Sequence, residues 1–577
     1  MKNILIVAVS FFLNGITWSQ DLQFEWNKIL GEVGPNLGIC IKTDTEGFIY
    51  TSGCFSGSID FLGTSLTSKG SFDAYLAKMD TDGELIWLKQ FAGIYNDKVT
   101  SLEIDRNNNI YVCGSYRVKI SFDTTLITNN ADTLYSSNMF IAKYNPEGKL
   151  IWAKNTGGVE FNGSKVGPVE FQGNRLTIDR ENNLIITGES ININLFDTMA
   201  QIQTLDSAEI CDYYDGKEYC HWDYFHPLYN FIAKYNSDGT KIWIKYIGGY
   251  PYAVKTDNRN NIIVTGNFRC GSPPCNSKFD SIILDPIAYE TIFLVKYDQD
   301  GRLLWARTAG GSANYNVGYD LVIDSVNNIY LTGRIMCGDI RFGETIEFSV
   351  PCINIDAFLA KCDSSGDFKW AKIMGNPTQN VSDEGDYNSG DAIAIVNNSI
   401  FLTGSLKDVI NFNGNIISGL YEMFVAKFNL DGSEISAGVY VNSGSVPVSS
   451  GKDISSDMHD NIYLTGYTYF DATSFNNPCY ILIAKIDDEL ATFLTKEIQS
   501  ADDIDIHPNP FKDNIIITSN SSNTKYFQII SMNGRLVMSG KFRENDKEIN
   551  CSSLGKGIYI AKIINGDELF VRKLIKE

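Results

Sequence analysis

Aromatic and acidic side chains crowd into one stretch, CDYYDGKEYCHWDYFHP, from Cys211 to Pro227. Tyr213, Tyr214, Trp222 and Tyr224 offer flat rings, and Asp212, Asp215 and Asp223 stand among them. Rings rimmed by carboxylates suit sugar or peptide binding, through stacking and hydrogen bonds at a polar edge. The competing reading is a loop that packs its own aromatics, stapled from Cys211 to Cys220. A second stretch, SDEGDYNSGD, carries Asp383, Glu384, Asp386 and Asn388. These are oxygen donors of the kind calcium takes, but their spacing fits no EF-hand loop. A solvated acidic loop is the simpler account, and no other cofactor is indicated. His221, His226, His459 and His507 are the only histidines and give a histidine triad or zinc site little material. Paired-carboxylate chemistry on sugars stays open, because acidic residues are abundant.

The ends and the bulk composition say where such chemistry would occur. Residues 1–19 combine a basic Lys2, an apolar run from Ile4 to Leu13 and small residues at Thr17 and Ser19. That is the layout of a secretory signal peptide cut before Gln20. The apolar run is shorter than the roughly 20 residues of a membrane helix, and no later segment is long and apolar enough. The mature chain is therefore expected to lack a transmembrane segment. Its formal charge of −21 repels phosphate backbones, so nucleic acid is not an expected partner. In an exported chain, three close cysteine pairs read as staples: Cys211 with Cys220, Cys270 with Cys275, and Cys337 with Cys352. Free thiols are the alternative, and the connectivity stays open.

An internal repeat must position these stretches. Segments such as FIAKYNSDGTKIWIKYIGG and LEIDRNNNIYVCGSY recur in fixed order. The glycine ending the second strand recurs at Gly53, Gly114, Gly188, Gly266, Gly333, Gly404 and Gly466. The lysine of the AK strand recurs at Lys78, Lys143, Lys234, Lys296, Lys361, Lys427 and Lys485. Tryptophan follows at Trp26, Trp87, Trp152, Trp243, Trp305 and Trp370, with Ser436 in the seventh slot. Each unit holds four short alternating or β-branched runs bounded by Asp, Asn and Gly turns, which reads as four strands. Four-stranded units repeated radially make a β-propeller. The expected fold is all-β, a seven-bladed β-propeller over residues 20–498 followed by a small C-terminal β-sandwich. Cutting at the longer loops orphans the Trp26 strand. That strand is expected to complete the last blade, with Leu490 to Ile498 as its rival.

The AIxxDxxNNIYVTG and FIAKYD…GxxxW pattern resembles the bacterial seven-bladed propeller repeat family over about residues 24 to 487. That resemblance implies architecture and a binding or scaffold role. Lysines and tryptophans present in nearly every unit are expected to serve the fold. Strand parity puts the loops after the GG and after the TG at one end of the blades, where loops of variable sequence carry function.

From about Asp503 the pattern changes. Pro508, Asn509 and Pro510, then Asn533, Gly534 and Arg535, then Gly557, Ile558 and Tyr559, and a basic tail from Arg572 to Lys576 follow in order. Residues 503–577 resemble the C-terminal sorting domain of the type IX secretion system of Bacteroidota. The resemblance implies that the type IX machinery is a partner and that the chain ends outside the cell or on the outer-membrane surface. The expected function is a secreted or surface-displayed binding, adhesion or scaffold propeller, with a glycan or surface polymer as ligand. The alternative is an extracellular carbohydrate-active hydrolase or lyase on the same scaffold.

Overall fold

A computed structural model describes residues 20–486 and 504–576. It leaves out 22–23, 32–33, 129–136, 160–174, 191–207, 215–216, 224–228, 271–277, 313–314, 345, 376–387, 413–414, 441–447, 470–478, 509, 520–524, 532–535, 544–545 and 566–567. Among the described residues every regular element is a strand, and no helix is long and apolar enough to cross a membrane. The chain divides into two compact units, Met1–Leu490 and Ala491–Glu577.

In the larger unit the strands pair as antiparallel four-stranded meanders, one per sequence repeat. The first joins Asn36–Thr43, Ile49–Phe55, Asp73–Met79 and Leu85–Ala92 in order. The second joins Lys98–Ile104, Ile110–Arg117, Ser137–Tyr144 and Leu150–Val159. The third joins Arg175–Ile178, Leu184–Ser190, Tyr229–Tyr235 and Lys241–Tyr246. The fourth joins Tyr250–Thr256, Ile262–Arg269, Glu290–Tyr297 and Leu303–Gly310. Val317–Ile323, Ile329–Phe342, Ile346–Cys362 and Phe368–Met374 form the fifth. Ser389–Val396, Ser399–Phe412, Asn415–Asn429 and Glu434–Tyr440 form the sixth. The last takes Val448–Ser456, Ile462–Tyr469 and Cys479–Ile486 from the end of the repeat region. Its fourth strand is Phe24–Leu30, with Trp26 opposite Lys485. The rival closing segment lies outside the described residues. The first strand of each meander packs beside the first strand of the next, and Val448–Ser456 packs beside Asn36–Thr43.

The middle strands of the meanders are buried on both faces. Ile49–Phe55 and Asp73–Met79 are buried at every position. Such strands leave no polar face, so the apolar residues do not alternate with polar ones.

The connections after the second strand are more regular than their sequences suggest. Ser58–Phe61 pairs with Thr64–Thr67, Lys119–Phe122 with Thr125–Thr128, and Lys278–Phe279 with Ile282–Ile283. In the fifth and sixth meanders the second and third strands simply run on into such a hairpin. Four of these hairpins drive a phenylalanine onto the third-strand aromatic of their own meander. Phe61 meets Tyr75, Phe122 meets Phe140, Phe279 meets Phe293 and Phe342 meets Phe358, with ring centroids 4.8–5.4 Å apart.

The smaller unit has two antiparallel sheets. Ile504–His507, Asn514–Ser519 and Asp546–Asn550 form one. Leu536–Phe542, Lys525–Ser531, Gly557–Asn565 and Glu568–Lys576 form the other. Ile506, Phe511, Ile517, Phe527, Ile529, Phe542 and Ile563 pack into a single core. Pro508 follows the first strand of the first sheet, and Gly557 opens the nine-residue strand Gly557–Asn565 of the second. Asn509 and Gly534 lie outside the described residues.

Candidate functional site

The repeated polar residues are consumed in holding the meanders together. Asp105 shows how: its Oδ1 accepts the N–H groups of Asn107 and Asn109, both at 2.9 Å, closing the Asp-x-x-Asn-Asn turn. Tyr111 and the Asn109 amide also donate to this carboxylate. Asp44, Asp179, Asp257, Asp324 and Asp457 accept the same turn N–H groups. The AK lysine approaches the carboxylate from the third strand, Lys234 at 2.9 Å from Asp179 and Lys296 at 2.9 Å from Asp257. Burial alone would raise these two carboxyls. Hydrogen bonds from the asparagine and lysine side chains hold both below the ordinary range.

The same lysines reach the next meander. Lys78 donates to the Pro146 carbonyl at 3.2 Å and Lys296 to that of Ser364 at 3.2 Å. The tryptophans join them, Trp87 donating to the Pro146 carbonyl at 3.1 Å and Trp305 to that of Ser364 at 3.2 Å. Their rings lie on the glycine of the next Asp-Gly-type turn, which reads Glu-Gly at Gly148 and Ser-Gly at Gly366. Trp26 covers Gly83, Trp87 covers Gly148, Trp152 covers Gly239, Trp243 covers Gly301, Trp305 covers Gly366 and Trp370 covers Gly432. Only glycine leaves room there, and each of these glycines has a positive φ.

Ser436 now has a reason. It sits in the sixth meander, where a tryptophan would reach the Asp-Gly turn of the last one. The fourth strand of that last meander comes from the other end of the chain, so no covalent turn joins it to the third. Among the described residues no turn glycine stands there for a ring to cover.

Along the first strands, charged side chains line a small cavity of about 70 Å³. Lys42 pairs with Asp453 at 2.6 Å, Lys452 with Asp391 at 2.6 Å and Lys255 with Glu103 at 3.2 Å. Asp453 also accepts the Ile41 N–H, Asp320 the Ile393 N–H and Ser101 the Leu176 N–H, each a link to the following meander. The cavity falls well below the roughly 300 Å³ of a small-molecule pocket, and its ion pairs stitch strands together.

Tyrosines and arginines gather at the loop end of the fourth and fifth meanders. Most first strands carry a one-residue bulge at the same level. The bulged residue is Ile39, Thr100, Tyr252, Tyr319, Asp391 or Lys452. Tyr252 and Tyr319 meet edge to face at 5.5 Å and 88°. The Arg334 guanidinium lies 5.5 Å from the Tyr319 ring and 5.9 Å from that of Tyr315. Arg269 lies 5.3 Å from the Tyr250 ring, and its Nε donates to Glu290 at 3.0 Å. Arg269 stays 49% exposed while Glu290 is buried. Although desolvation opposes it, Glu290 raises the Arg269 pKa above its ordinary value. Tyr289 and Tyr315 are exposed at the rim. Glu189, at the end of the second strand of the third meander, completes the cluster. Burial pushes its carboxyl up to about 7, and the charge of Arg269 restrains the rise.

The stretch from Cys211 to Pro227 springs from beside Glu189. Its connection leaves the third meander at Ser190 and returns at Tyr229, which pair with each other. Within it Ala208–Tyr214 and Lys217–Asp223 form a hairpin. It is a longer version of the hairpin made in the same connection elsewhere. Cys211 stands directly opposite Cys220, Tyr213 opposite Glu218, Tyr214 opposite Lys217 and Trp222 opposite Glu209. Tyr224 lies outside the described residues, as do Asp383 and Asp386. Cys270 is disulfide-bonded, while Cys275 lies outside the described residues. Cys337 sits at a bulge, between the Met336–Ile355 and Gly338–Val350 pairings, facing the stretch that holds Cys352. Cys40, Cys54, Cys113, Cys362 and Cys551 are buried free thiols. No tyrosine or arginine of the loop-end cluster was marked by a motif. The available signal was an internal one, two tyrosines at a bulge position where other repeats carry Ile, Thr, Asp or Lys.

Comparison with known proteins defines the class first. Residues 505–577 match the secretion system C-terminal sorting domain. The protein therefore carries a type IX sorting tail on an all-β, propeller-like body, and its destination is the extracellular space or the outer-membrane surface. The chain is 23% identical over 480 residues to an uncharacterized WD repeat-containing protein of Acanthamoeba polyphaga mimivirus. That similarity covers 69% of this chain and 32% of the relative, so the chain spans about a third of the relative's length. Among solved structures, PorZ, a surface component of the type IX secretion system of Porphyromonas gingivalis, is 9% identical, covering 96% of this chain and 100% of PorZ with a TM-score of 0.23. A Bacteroides caccae protein of unknown function is 11% identical over 60% of this chain and 93% of its own, with a TM-score of 0.28. A fungal alcohol oxidase of the AA5 family is 10% identical over 96% and 100%, with a TM-score of 0.36.

Proposed function

We propose that the larger unit is a seven-bladed β-propeller acting outside the cell as a binding, adhesion or scaffold module. Its recognition surface is the tyrosine–arginine cluster at the loop end. In this reading residues 1–19 are a cleaved signal peptide, 20–498 the propeller and 503–577 the sorting domain. Seven repeats and a last meander completed by Phe24–Leu30 support the blade count. The observation that carries the binding role is a division of labour. The repeated Asp, Lys and Trp side chains are spent on turns and clasps. The partly exposed tyrosines and arginines gather at one end of two neighbouring meanders, where the repeat does not require them. Loops and strand ends on a rigid scaffold are where recognition residues concentrate.

The test is a screen of glycans and surface polymers against the exported protein and its Tyr252→Ala/Tyr319→Ala variant. Loss of a detected interaction at unchanged melting temperature supports the assignment. Equal binding by both proteins contradicts it.

One observation favours the second reading, a carbohydrate-active hydrolase or lyase. Glu189 is held near neutrality by burial, while Glu290 is ion-paired with Arg269, so two nearby acids have unlike environments. Release of new reducing or unsaturated ends from a polysaccharide, abolished by Glu189→Gln, would establish it. Binding without any product would dismiss it.

A further inference from the structure

We infer that the loop-end cluster takes a carboxylate-bearing glycan, a polymer of uronic acid type, in preference to a neutral one. This rests on the binding reading above and specifies its ligand chemistry. Two arginines and three tyrosines line up across the fourth and fifth meanders: Arg269 over Tyr250, two residues along the same strand Tyr252 against Tyr319, and Tyr319 under Arg334. Tyr252 feels the charge of both arginines. A sugar ring stacks on a tyrosine, and a uronate adds a planar carboxylate that a guanidinium fork can take in two parallel hydrogen bonds. A guanidinium lying against an aromatic ring is pre-organised, so less freedom is lost on binding.

The local charge permits an anion despite the −21 of the whole chain. Asp391, whose charge reaches Tyr319, is already paired with Lys452 at 2.6 Å. Glu290 occupies the Nε edge of Arg269. Glu189 loses much of its charge near neutral pH through burial. An acidic surface elsewhere would discourage nonspecific retention of the same polymer, leaving this patch as its point of entry.

The experiment measures retention of the exported full-length protein by polygalacturonate and by a neutral glucan, in affinity gels over a range of salt. Wild type is compared with Arg334→Gln, Arg334→Lys and Tyr252→Ala, each checked for an unchanged melting temperature. Polygalacturonate should retard the wild type and the glucan should not. Arg334→Gln should weaken retention at least tenfold, and Arg334→Lys should recover it only in part because the fork is lost. Equal retention by both polymers, or no effect of Arg334→Gln where Tyr252→Ala does weaken binding, overturns the preference for an acidic sugar and leaves the binding reading standing. Competition by poly-glutamate as strong as by the polyuronate overturns the sugar class. If neither polymer is retained and Tyr252→Ala changes no interaction in the wider screen, both readings fall.

Discussion

The indole of Trp87 lies flat on Gly148 of the following meander. A Cβ built at Gly148 would stand 2.9 Å from the ring carbon Cδ2, and the indole Nε1 donates to the Pro146 carbonyl at 3.1 Å. Ring, glycine and carbonyl form one clasp between neighbours, and the chain repeats it at each intact Asp-Gly turn. Gly148 also has φ +76°, a conformation that side chains resist. Gly148→Ala should therefore cost about 2 kcal/mol in stability, from strain plus displacement of the ring. Urea denaturation followed by tryptophan fluorescence would read the loss.

Ser436 gives the converse. Restoring the repeat pattern with Ser436→Trp would be a stabilising consensus change if the slot faced a turn. Ser436 is instead buried, with no covalent turn in the next meander to cover. The substitution should lower stability by about 1–3 kcal/mol through overpacking. A raised denaturation midpoint would show that a clasp had formed.

Val118 is strained where its counterparts are not. It enters the hairpin of the second meander at φ +63°, the position held by Gly57 in the first and Gly338 in the fifth. A β-branched residue is poorly suited to that region. Val118→Gly should raise stability by about 1 kcal/mol, net of the entropy glycine brings to the unfolded chain. The same denaturation midpoint checks it.

Asp97 sets a pH dependence. It is fully buried, accepts the Gly93 N–H, and burial pushes its carboxyl up to about 8, with Asp73 adding to the rise. In the folded chain it therefore holds its proton well above the ordinary range near 3.8. Stability contributed by this group is fully present below about pH 4 and falls as pH rises through 8, because the folded state binds the extra proton. Asn36, Asn316 and Asn388 bind neighbouring loops from the equivalent place, with an amide in the role of the protonated acid. Asp97→Asn should leave the melting temperature unchanged near pH 4 and raise it at pH 9, by an amount corresponding to roughly 2 kcal/mol.

The sequence made the strands and their order legible because Gly53, Lys78 and Trp87 recur with their equivalents along the whole region. It also pointed to Phe24–Leu30 as the closing strand, since only that strand completes the count. The hairpins after the second strand were hidden. SIDFLGTSLT and KISFDTTLIT share Ile59 with Ile120, Phe61 with Phe122 and two threonines, too little to stand out, and packing on Tyr75 and Phe140 reveals their common purpose. Tyr213, Tyr214 and Trp222 were conspicuous because they are clustered in sequence. Tyr252, Tyr319, Arg269 and Arg334 were not, because they come from separate strands and meet only where neighbouring meanders pack. Local composition reports a cluster within one loop and is blind to one assembled across repeats.

The most direct measurement is amide hydrogen exchange of the exported protein with and without a polymer that it binds. The account predicts added protection in the peptides that hold Tyr250 to Tyr252, Tyr315 to Tyr319 and Arg334, with the Asp-Gly turns around Gly83, Gly148 and Gly301 unchanged. Protection confined to those turns, with none at the tyrosine–arginine cluster, would contradict it.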